Sequence, residues 1–300
     1  MKTYVTGGSG RLGREVLRLV DAIPLNRSEK GMPREIVTDF SAEDLKKRLA
    51  DADALIHLAG SMRFWRPWEL WEANYGITKR LVEAVPERCN FIFASSISVY
   101  GKKLAKIPAN EQTPLNPDTE YAKSKADAEK EVLRLPNSCM LRIGTIYGPE
   151  FHDYYRIFSL LERGRMPIIG DGKNRVPFVH VEEVAKAVKS AVGKKGTYAV
   201  CGNSLTQEEI FHIACKALHV PPPKRHIPVS LALFLAQVEE YRASLMRSPP
   251  SITKEYVRIL SSDRAFDYSK AWNELGFFPR PLAKGIKEMA EHYLGKKKHK

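Results

Sequence analysis

Residues 3–20 read TYVTGGSGRLGREVLRLV, and this stretch decides the fold. A short run of β-forming residues ends in a glycine-rich loop, and an apolar pattern with helical spacing follows the loop. Gly7, Gly10 and Gly13 allow a tight turn, and the helix after them offers free N–H groups to an anion. The stretch therefore predicts a strand–loop–helix unit that binds the pyrophosphate of a dinucleotide.

Short apolar runs alternate with helical patterns beyond the glycine loop. These runs are AIPLN (22–26), REIVTDF (34–40), DALIHLAG (53–60), NFIFASS (90–96) and CMLRIGTIYG (139–148). The alternation predicts an α/β fold, a doubly wound parallel (Rossmann-type) sheet with a smaller, mainly helical C-terminal substrate-binding part.

The same pattern predicts how the chain is divided. Residues 1–150 are expected to form the dinucleotide-binding domain, which residues 176–203 rejoin. Residues 151–175 and 204–295 are expected to form the substrate-binding part, and residues 296–300 a basic tail.

Composition narrows the class of protein. Hydrophobic residues make up 43% and charged residues 28% of the chain, which is typical of a folded globular protein. The net charge is +13, but the basic residues are scattered and form no recognition motif, so we expect no nucleic-acid partner. LALFLA, the longest apolar run in the C-terminal half, is too short to span a bilayer, so no membrane partner is expected. With no signal-like N-terminus and four cysteines in no CxxC pattern, the prediction is a cytoplasmic protein.

The end of the second predicted strand bears on the choice of cofactor. An acidic residue there would bind the ribose 2′-hydroxyl of NAD, whereas an arginine would accommodate the 2′-phosphate of NADP. This chain has Asn26, Arg27 and Ser28, and Arg11 in the glycine loop could reach the same phosphate. NADP is therefore favoured over NAD. Asp39 and Phe40, after the third strand, are placed to meet the adenine.

YAKSK, residues 121–125, places a tyrosine and a lysine on one face of a predicted helix. An ammonium near a phenol favours the phenolate and lowers the pKa of the phenol, as general acid–base catalysis requires. With both motifs present, the chain resembles the extended short-chain dehydrogenase/reductase family, in its NAD-dependent epimerase/dehydratase branch. TGGSGRLG, HLAG, FASSISVYG, YAKSK and LRIGTIYGP stand in the order of that family's motifs.

The resemblance implies a set of site residues. The catalytic residues would be Ser96, which orients the substrate, Tyr121, the acid/base, and Lys125, which tunes Tyr121 and binds the nicotinamide ribose. A small-molecule substrate and a homodimer are also implied. The cofactor-binding residues would be Gly7, Ser9, Gly10, Arg11, Leu12, Gly13, Asn26, Arg27, Ser28, Asp39, Phe40, Leu58, Ala59, Gly60, Asn74, Tyr121, Lys125 and Ile143.

Departures from the family's motifs narrow the reaction. Ile97 and Ser98 stand where the dehydratases of the family carry Asp-Glu, so a dehydratase is disfavoured. Ser98 also stands where members that epimerise beside the keto carbon carry cysteine, so that branch is disfavoured too. The sugar-nucleotide enzymes of the family carry an arginine that binds the diphosphate. In this chain Val176 stands at that position, and Arg175 is one residue away. The C-terminal part, PPPKRHIPVSLALFLAQVEE, looks more like the steroid dehydrogenase and flavonol-type reductase branch.

Two functions stay open at this point. The first is an NAD(P)-dependent enzyme that moves a hydride at a secondary alcohol or ketone carbon, either a sugar or sugar-nucleotide epimerase or a ketone or aldehyde reductase. The alternative is a non-catalytic NAD(P)-binding sensor or assembly protein with the same fold. No metal site is expected, because no His, Cys, Asp or Glu residues have metal-ligand spacing.

Overall fold

The structure is a computed structural model that describes residues 1–246, 248 and 250–298, the last without its side chain. Its strands are β1 (Thr3–Thr6), β2 (Ile23–Asn26), β3 (Ile36–Val37), β4 (Ala54–His57), β5 (Asn90–Ser96), β6 (Ser138–Ile143), β7 (Thr145–Tyr147), β8 (Ile168–Ile169), β9 (Arg175–His180), β10 (Gly196–Val200), β11 (Ser204–Thr206) and β12 (His226–Ile227).

The α-helices are α1 (Arg11–Leu19), α2 (Ala42–Leu49), α3 (Pro67–Trp71), α4 (Ile77–Ala84), α5 (Glu120–Val132), α6 (Tyr155–Glu162), α7 (Val181–Ala191), α8 (Gln207–Leu218), α9 (Val229–Leu245), α10 (Lys254–Leu260), α11 (Ser269–Leu275) and α12 (Leu282–Lys298). A π-helical turn, Glu72–Gly76, joins α3 to α4, and 3₁₀ turns span Ile97–Tyr100 and His152–Tyr154.

The main sheet has seven strands in the order β10-β6-β5-β4-β1-β2-β3. All neighbouring strands in it are parallel. From β1 the sheet extends in one direction through β2 and β3. In the other direction it extends through β4, β5, β6 and β10. A crevice therefore opens beyond the carboxyl ends of β1 and β4, where parallel α/β sheets bind their ligands. The predicted doubly wound parallel sheet is confirmed.

Helices cover both faces of this sheet, as its nearly continuous apolar strands require. One core cluster contains Val16 of α1 and Val184 and Val188 of α7. The other contains Leu45 of α2 and Leu81 of α4. The two cores fix the sheet rigidly, so residues at the strand ends have fixed positions.

The C-terminal part is mostly helical, as predicted. α6, α8 and α12 enclose a third core cluster, in which Phe158, Phe211 and Ile286 are buried. β7, β9 and β11 form a small sheet beside this cluster, while α9 packs on α10. The division of the chain into two functional parts stays a prediction. In the part of the chain that the structure describes, no helix has both the length and the apolar character that crossing a membrane requires.

Candidate active site

The glycine loop follows β1 and lies against the segment after β4. Gly7 has φ +74°, and a Cβ there would stand 2.7 Å from the backbone nitrogen of Ala59. A Cβ at Gly13 would overlap the carbonyl oxygen of Gly7, which shows how closely α1 packs on the loop. The Gly10 amide donates to the Gly7 carbonyl at 3.0 Å and closes the turn. Glycine is therefore required at Gly7 and Gly13, because the backbone comes too close there for a side chain.

The first turn of α1 has the free donors that an anion needs. Gly10 is the N-cap residue of α1. In the described part of the chain, no side chain caps this helix end with a hydrogen bond. The first N–H groups of a helix have no partner within the helix and carry partial positive charge. Gly10 and Arg11 are exposed, Ser9 is half-buried, and Leu12 packs against the core. The loop and the helix start therefore fit a pyrophosphate.

Arg11 lies on the crevice side of this turn and bridges two parts of the chain. Its Nη1 donates to a carboxylate oxygen of Asp153 at 2.7 Å, and its guanidinium lies 4.2 Å from the centre of the Phe151 ring. Both partners belong to the segment between β7 and α6. Arg11 thus links the glycine loop to this segment, and its charge is paired with the Asp153 carboxylate.

The end of β2 presents an exposed arginine that forms a long ion pair with Glu72. Arg27 is 58% exposed in its side chain, with its guanidinium 5.9 Å from the centre of the Phe40 ring and 3.9 Å from Glu72. Asn26 is buried, and its side-chain amide donates to the Glu35 carboxylate at 2.7 Å. The same carboxylate accepts from the Lys30 backbone amide at 2.9 Å. Glu35 therefore orders the loop that carries Arg27 and the exposed Ser28.

Asp39 and Phe40 follow β3 and differ in exposure. Asp39 is exposed, and its carboxylate accepts from the Ser41 amide at 2.7 Å. That hydrogen bond lowers the pKa of Asp39. The Phe40 side chain is buried in the core beneath Arg27. Phe40 thus supports Arg27 from below, while Asp39 remains open to a ligand.

Ser96 and Tyr121 come together at the carboxyl end of β5. Ser96 ends the strand, and its Oγ accepts from the Ser98 amide at 3.2 Å. Tyr121 lies in the first turn of α5, whose N-cap Thr119 accepts from the Ala122 amide at 3.1 Å. Burial raises the pKa of Tyr121, while a hydrogen bond with Ser96 acts in the opposite direction. The phenol is therefore protonated at neutral pH.

Lys125 lies one turn further along α5 and is buried. Its ammonium donates to the Ala94 carbonyl at 2.9 Å and lies 4.8 Å from the centre of the Phe93 ring. Burial lowers the pKa of Lys125 to about 8, and the charge of Glu129 opposes that shift. The lowering of the Tyr121 pKa by Lys125 stays a prediction, because burial is the largest influence on the phenol and the Lys125 ammonium is held by the Ala94 carbonyl.

Asn74 joins the segment after β4 to α5. Its Oδ1 accepts from the Ser61 amide at 2.8 Å, and its Nδ2 donates to the Ser61 carbonyl at 3.0 Å and to Ser124 Oγ at 3.2 Å. It lies in the π-helical turn, a distortion that is frequent at functional sites. A Cβ at Gly60 would stand 2.8 Å from Asn74 Oδ1 and 3.4 Å from Lys125 Nζ. Three of the predicted cofactor residues are thus neighbours.

The remaining predicted residues lie along the same strand ends. Leu58 and Ala59 follow β4, and the Ala59 amide lies 3.4 Å from Thr6 Oγ1. Ile143 is buried at the end of β6 and pairs with Ser96 in the sheet. The predicted cofactor residues thus end or follow β1, β2, β3, β4 and β6 or lie on α1, the π-helical turn and α5, and Phe40 among them is buried in the core.

A buried ion pair beneath the site was not predicted from the sequence. Glu129 accepts from Arg142 Nε at 3.0 Å and from Arg142 Nη2 at 2.7 Å. Glu129 also accepts from Ser95 Oγ at 2.6 Å, and Arg142 Nη1 donates to the Tyr100 hydroxyl at 2.7 Å. Glu129 lies one turn after Lys125, and this helical spacing was the only sequence signal for it.

His57 is a second buried polar group. Its ring nitrogens lie 2.6 Å from Thr6 Oγ1 and 2.9 Å from Thr78 Oγ1. Burial and the nearby Lys125 lower the pKa of His57 to about 3, so the ring is neutral at physiological pH. His57 therefore stabilises the floor of the crevice and is not placed to exchange protons with a substrate.

Among the residues that the structure describes, one group of side chains offers metal-ligand atoms. Glu150, His152 and His292 each bring one such atom within 4.8 Å of the others. The Lys296 ammonium lies 2.7 Å from His152 Nε2 and engages that nitrogen. We assign no metal to this group.

Comparison with known proteins identifies the family. Residues 3–201 match the sequence profile of the family described as "NAD dependent epimerase/dehydratase family". The 3beta-hydroxysteroid-dehydrogenase/decarboxylase isoform 1 of Arabidopsis thaliana is 27% identical, over 96% of this chain and 79% of the relative. The 2-alkyl-3-oxoalkanoate reductase of Stenotrophomonas maltophilia is 24% identical, over 96% of this chain and 98% of the relative.

Solved structures have the same fold. The protein gox2253 superposes with a TM-score of 0.77 at 25% identity, over 98% of both chains. The UDP-N-acetylglucosamine 4-epimerase of Bacillus cereus superposes with a TM-score of 0.74 at 23% identity, over 97% of this chain and 98% of that one, and this likeness shows the fold alone. The chain belongs to the NAD-dependent epimerase/dehydratase family, within the extended short-chain dehydrogenases/reductases, and is an NAD-dependent epimerase or dehydrogenase.

Proposed function

We propose that this enzyme is an NADPH-dependent reductase of a ketone that is flanked by apolar groups. The observation that carries the proposal is the surroundings of Tyr121. The ring of Phe64 stands edge-on to the Tyr121 ring with centroids 5.8 Å apart, and Tyr256 stands edge-on to Phe64 at 5.9 Å. A substrate that reaches the phenol must therefore pass aromatic side chains, which favour an apolar body.

The protonation state of Tyr121 supports reduction. Reduction of a ketone needs a hydride at carbon and a proton at oxygen, and a bound nicotinamide supplies the hydride. Tyr121, which is a neutral phenol at pH 7, donates the proton to the substrate oxygen. The Ser96 hydroxyl donates a hydrogen bond to the same oxygen and holds it beside the phenol. The Lys125 ammonium then stabilises the phenolate that remains.

The position of Arg175 argues against a nucleotide-sugar substrate. Its Nε and Nη2 donate to the two carboxylate oxygens of Asp263, each at 2.8 Å. A bidentate pair of this kind occupies one edge of the guanidinium and compensates its charge with a carboxylate. Arg175 therefore lacks the free charge that a diphosphate would need.

Two other observations favour simple reduction over the more elaborate reactions of the family. Ile97 is buried in the core with Tyr100 and Ala109, so it presents no acid or base to a substrate. Ser98 carries only a hydroxyl, which lies 3.2 Å from Ser96 Oγ. The meeting of Ser96, Tyr121 and Lys125 also argues against the alternative of a non-catalytic cofactor sensor, which needs none of these three groups.

A substrate panel tests the proposed substrate class. We expect 2-alkyl-3-oxo acids and alkyl-substituted cyclic ketones to drive NADPH oxidation, with kcat/KM at least ~100-fold above that for UDP-glucose or UDP-galactose. Phe64→Ala removes an apolar contact worth about 1.5–3 kcal/mol, and should lower kcat/KM for the ketones roughly 10- to 100-fold. The control is Trp68→Ala, at a side chain that is 83% exposed. It should change kcat/KM for the ketones less than about twofold. Interconversion of UDP-sugars without net NADPH oxidation would contradict the proposal.

Arg27 supports NADP over NAD. Its guanidinium is exposed at the end of β2, above the buried Phe40 ring and beside an ordered loop. The first turn of α1 would hold the pyrophosphate, and Lys125 would reach the nicotinamide ribose. In this arrangement Arg27 would pair with a 2′-phosphate.

Arg27→Ala is expected to lower kcat/KM for NADPH about 10- to 100-fold. The physical reason is the loss of a charge-assisted hydrogen bond worth ~1.5–3 kcal/mol. kcat/KM for NADH should change less than about threefold, since NADH has no 2′-phosphate. Arg18→Ala, which removes an arginine with a 72% exposed side chain on α1, is the matched control for lost positive charge. Equal losses for NADPH and NADH would show that Arg27 does not select the cofactor.

A further inference from the structure

An exposed apolar face runs along α9. Six large side chains on this helix are between 41% and 69% exposed: Leu231, Phe234, Leu235, Val238, Tyr241 and Leu245. With about 100° between successive residues of a helix, these six lie within an arc of roughly 120°. We call this set the α9 face. Its members are contiguous on the surface, and large exposed apolar patches mark interaction sites.

The helix is attached to the protein by its other side. Ala232 and Ala236 are buried there in one cluster with Val257 of α10. Val229 and Leu233 are partly buried on this side, whereas the six large side chains of the α9 face point outward. This is the reverse of what folding alone favours, because burying the large side chains would remove more apolar surface from water.

Charge near the α9 face indicates what covers it. The acidic residues of the helix are engaged within the protein, since Glu239 accepts from Arg242 Nη2 at 2.7 Å and Glu240 accepts from the Lys254 amide at 2.9 Å. Lys224, Arg225 and Arg258 are exposed at neighbouring positions. The whole chain carries a net charge of +13. This net positive charge disfavours a second copy on the uncharged α9 face and favours an anionic surface there.

The entrance to the active site lies beside α10, the helix on which α9 packs. Tyr256 belongs to α10, on which α9 packs, and its ring contacts Phe64, which contacts Tyr121. The loop that carries Phe64 also exposes Met62 and Trp65, and α3, which follows it, exposes Trp68. Tryptophan is the side chain most often found at the boundary between lipid and water.

We propose that α9 lies flat on an anionic phospholipid bilayer, with the α9 face inserted among the lipids and the basic residues against the headgroups. The sequence predicted no membrane partner because no run could span a bilayer, but a helix that lies in the interface needs no such run. This placement turns the entrance at Phe64 toward the lipid, from which an apolar ketone would enter. That last step rests on the proposed function, whereas the binding itself does not.

Vesicle flotation with the full-length protein tests the proposal. Wild type should bind vesicles of phosphatidylcholine with roughly one-third phosphatidylglycerol at least ~10-fold more tightly than pure phosphatidylcholine, and raised salt should weaken this preference. The double variant Phe234→Ser with Leu235→Ser should bind at least ~10-fold more weakly. The matched control, Phe278→Ser with Leu133→Ser, removes the same side chains from exposed sites elsewhere and should bind as wild type does. Lys224→Gln with Arg258→Gln should lose the preference for the anionic vesicles.

Two outcomes would overturn the proposal. The first is equal binding of wild type and the α9 double variant to anionic vesicles. The second is no binding by wild type, together with a dimer in solution that the α9 double variant converts to a monomer, which would assign the face to a second copy. The assay uses no substrate, so a failure of the proposed reductase activity leaves vesicle binding unchanged, and the two results are distinguishable.

Discussion

Tyr121→Phe is expected to lower kcat for ketone reduction by about 10²- to 10⁴-fold. The variant keeps the aromatic ring and its contact with Phe64, and loses only the hydroxyl that donates the proton. The Kd of NADPH, measured by fluorescence titration, should change less than about threefold. Steady-state rates and titrations on the same protein preparation separate the two effects.

The control for this variant is Tyr268→Phe. Tyr268 is half-buried against the core of the main sheet, and its hydroxyl donates a hydrogen bond to Asn203 at 2.8 Å, so the variant should keep full activity. Because the pKa of Tyr121 is raised, we expect oxidation and reduction to depend differently on pH. Oxidation of the corresponding alcohol needs the phenolate, so its rate should rise with pH, whereas reduction uses the phenol already present at neutral pH. Turnover by Tyr121→Phe near the wild-type rate would rule out Tyr121 as the acid.

Glu129→Gln is expected to lower the free energy of unfolding by about 3–5 kcal/mol. Glu129 and Arg142 are both buried, and the amide cannot compensate the guanidinium charge. The Ser95 hydroxyl also loses its charged acceptor. Because the carboxylate raises the pKa of Lys125, its removal should lower that pKa further below about 8. Urea unfolding followed by circular dichroism measures the loss of stability.

Asp127→Asn on the same helix is the matched control. Asp127 forms an exposed pair with Lys130 at 2.6 Å, three residues away, and such pairs contribute less than about 1 kcal/mol. A loss of stability for Glu129→Gln no larger than that for Asp127→Asn would show that the buried network is not needed to hold α5 on the sheet.

Local sequence signals predicted the parts of the site that depend on local backbone geometry. The glycine loop requires close approach at Gly7 and Gly13, and this requirement is visible in the residue types themselves. The alternation of elements predicted a doubly wound parallel sheet, and the pairing of β1 with β4 in that sheet places Gly7 beside Ala59. Ser96 and Tyr121 meet because parallel strands and their following helices end at the same edge of the sheet.

Features that depend on distant contacts were not predicted. Phe64 reaches Tyr121 across 57 positions of sequence, and nothing in its neighbourhood signals that contact. The pKa of Tyr121 depends on burial, which the spacing to Lys125 does not report. Arg142 follows Glu129 by 13 positions and occupies a strand position that reads as apolar. For α9, the apolar run was visible in the sequence, but its exposure depends on which face packs on α10.

The most direct test follows a labelled hydride. Wild-type enzyme is incubated with NADPH that carries deuterium at the transferable C4 position and with the best ketone of the panel, and the product is examined by mass spectrometry. The account predicts one deuterium at the carbinol carbon of the product, an equal amount of NADP⁺, and no transfer on the same timescale by Tyr121→Phe. A product without deuterium, or a UDP-sugar epimerised while the cofactor is left unchanged, would contradict it.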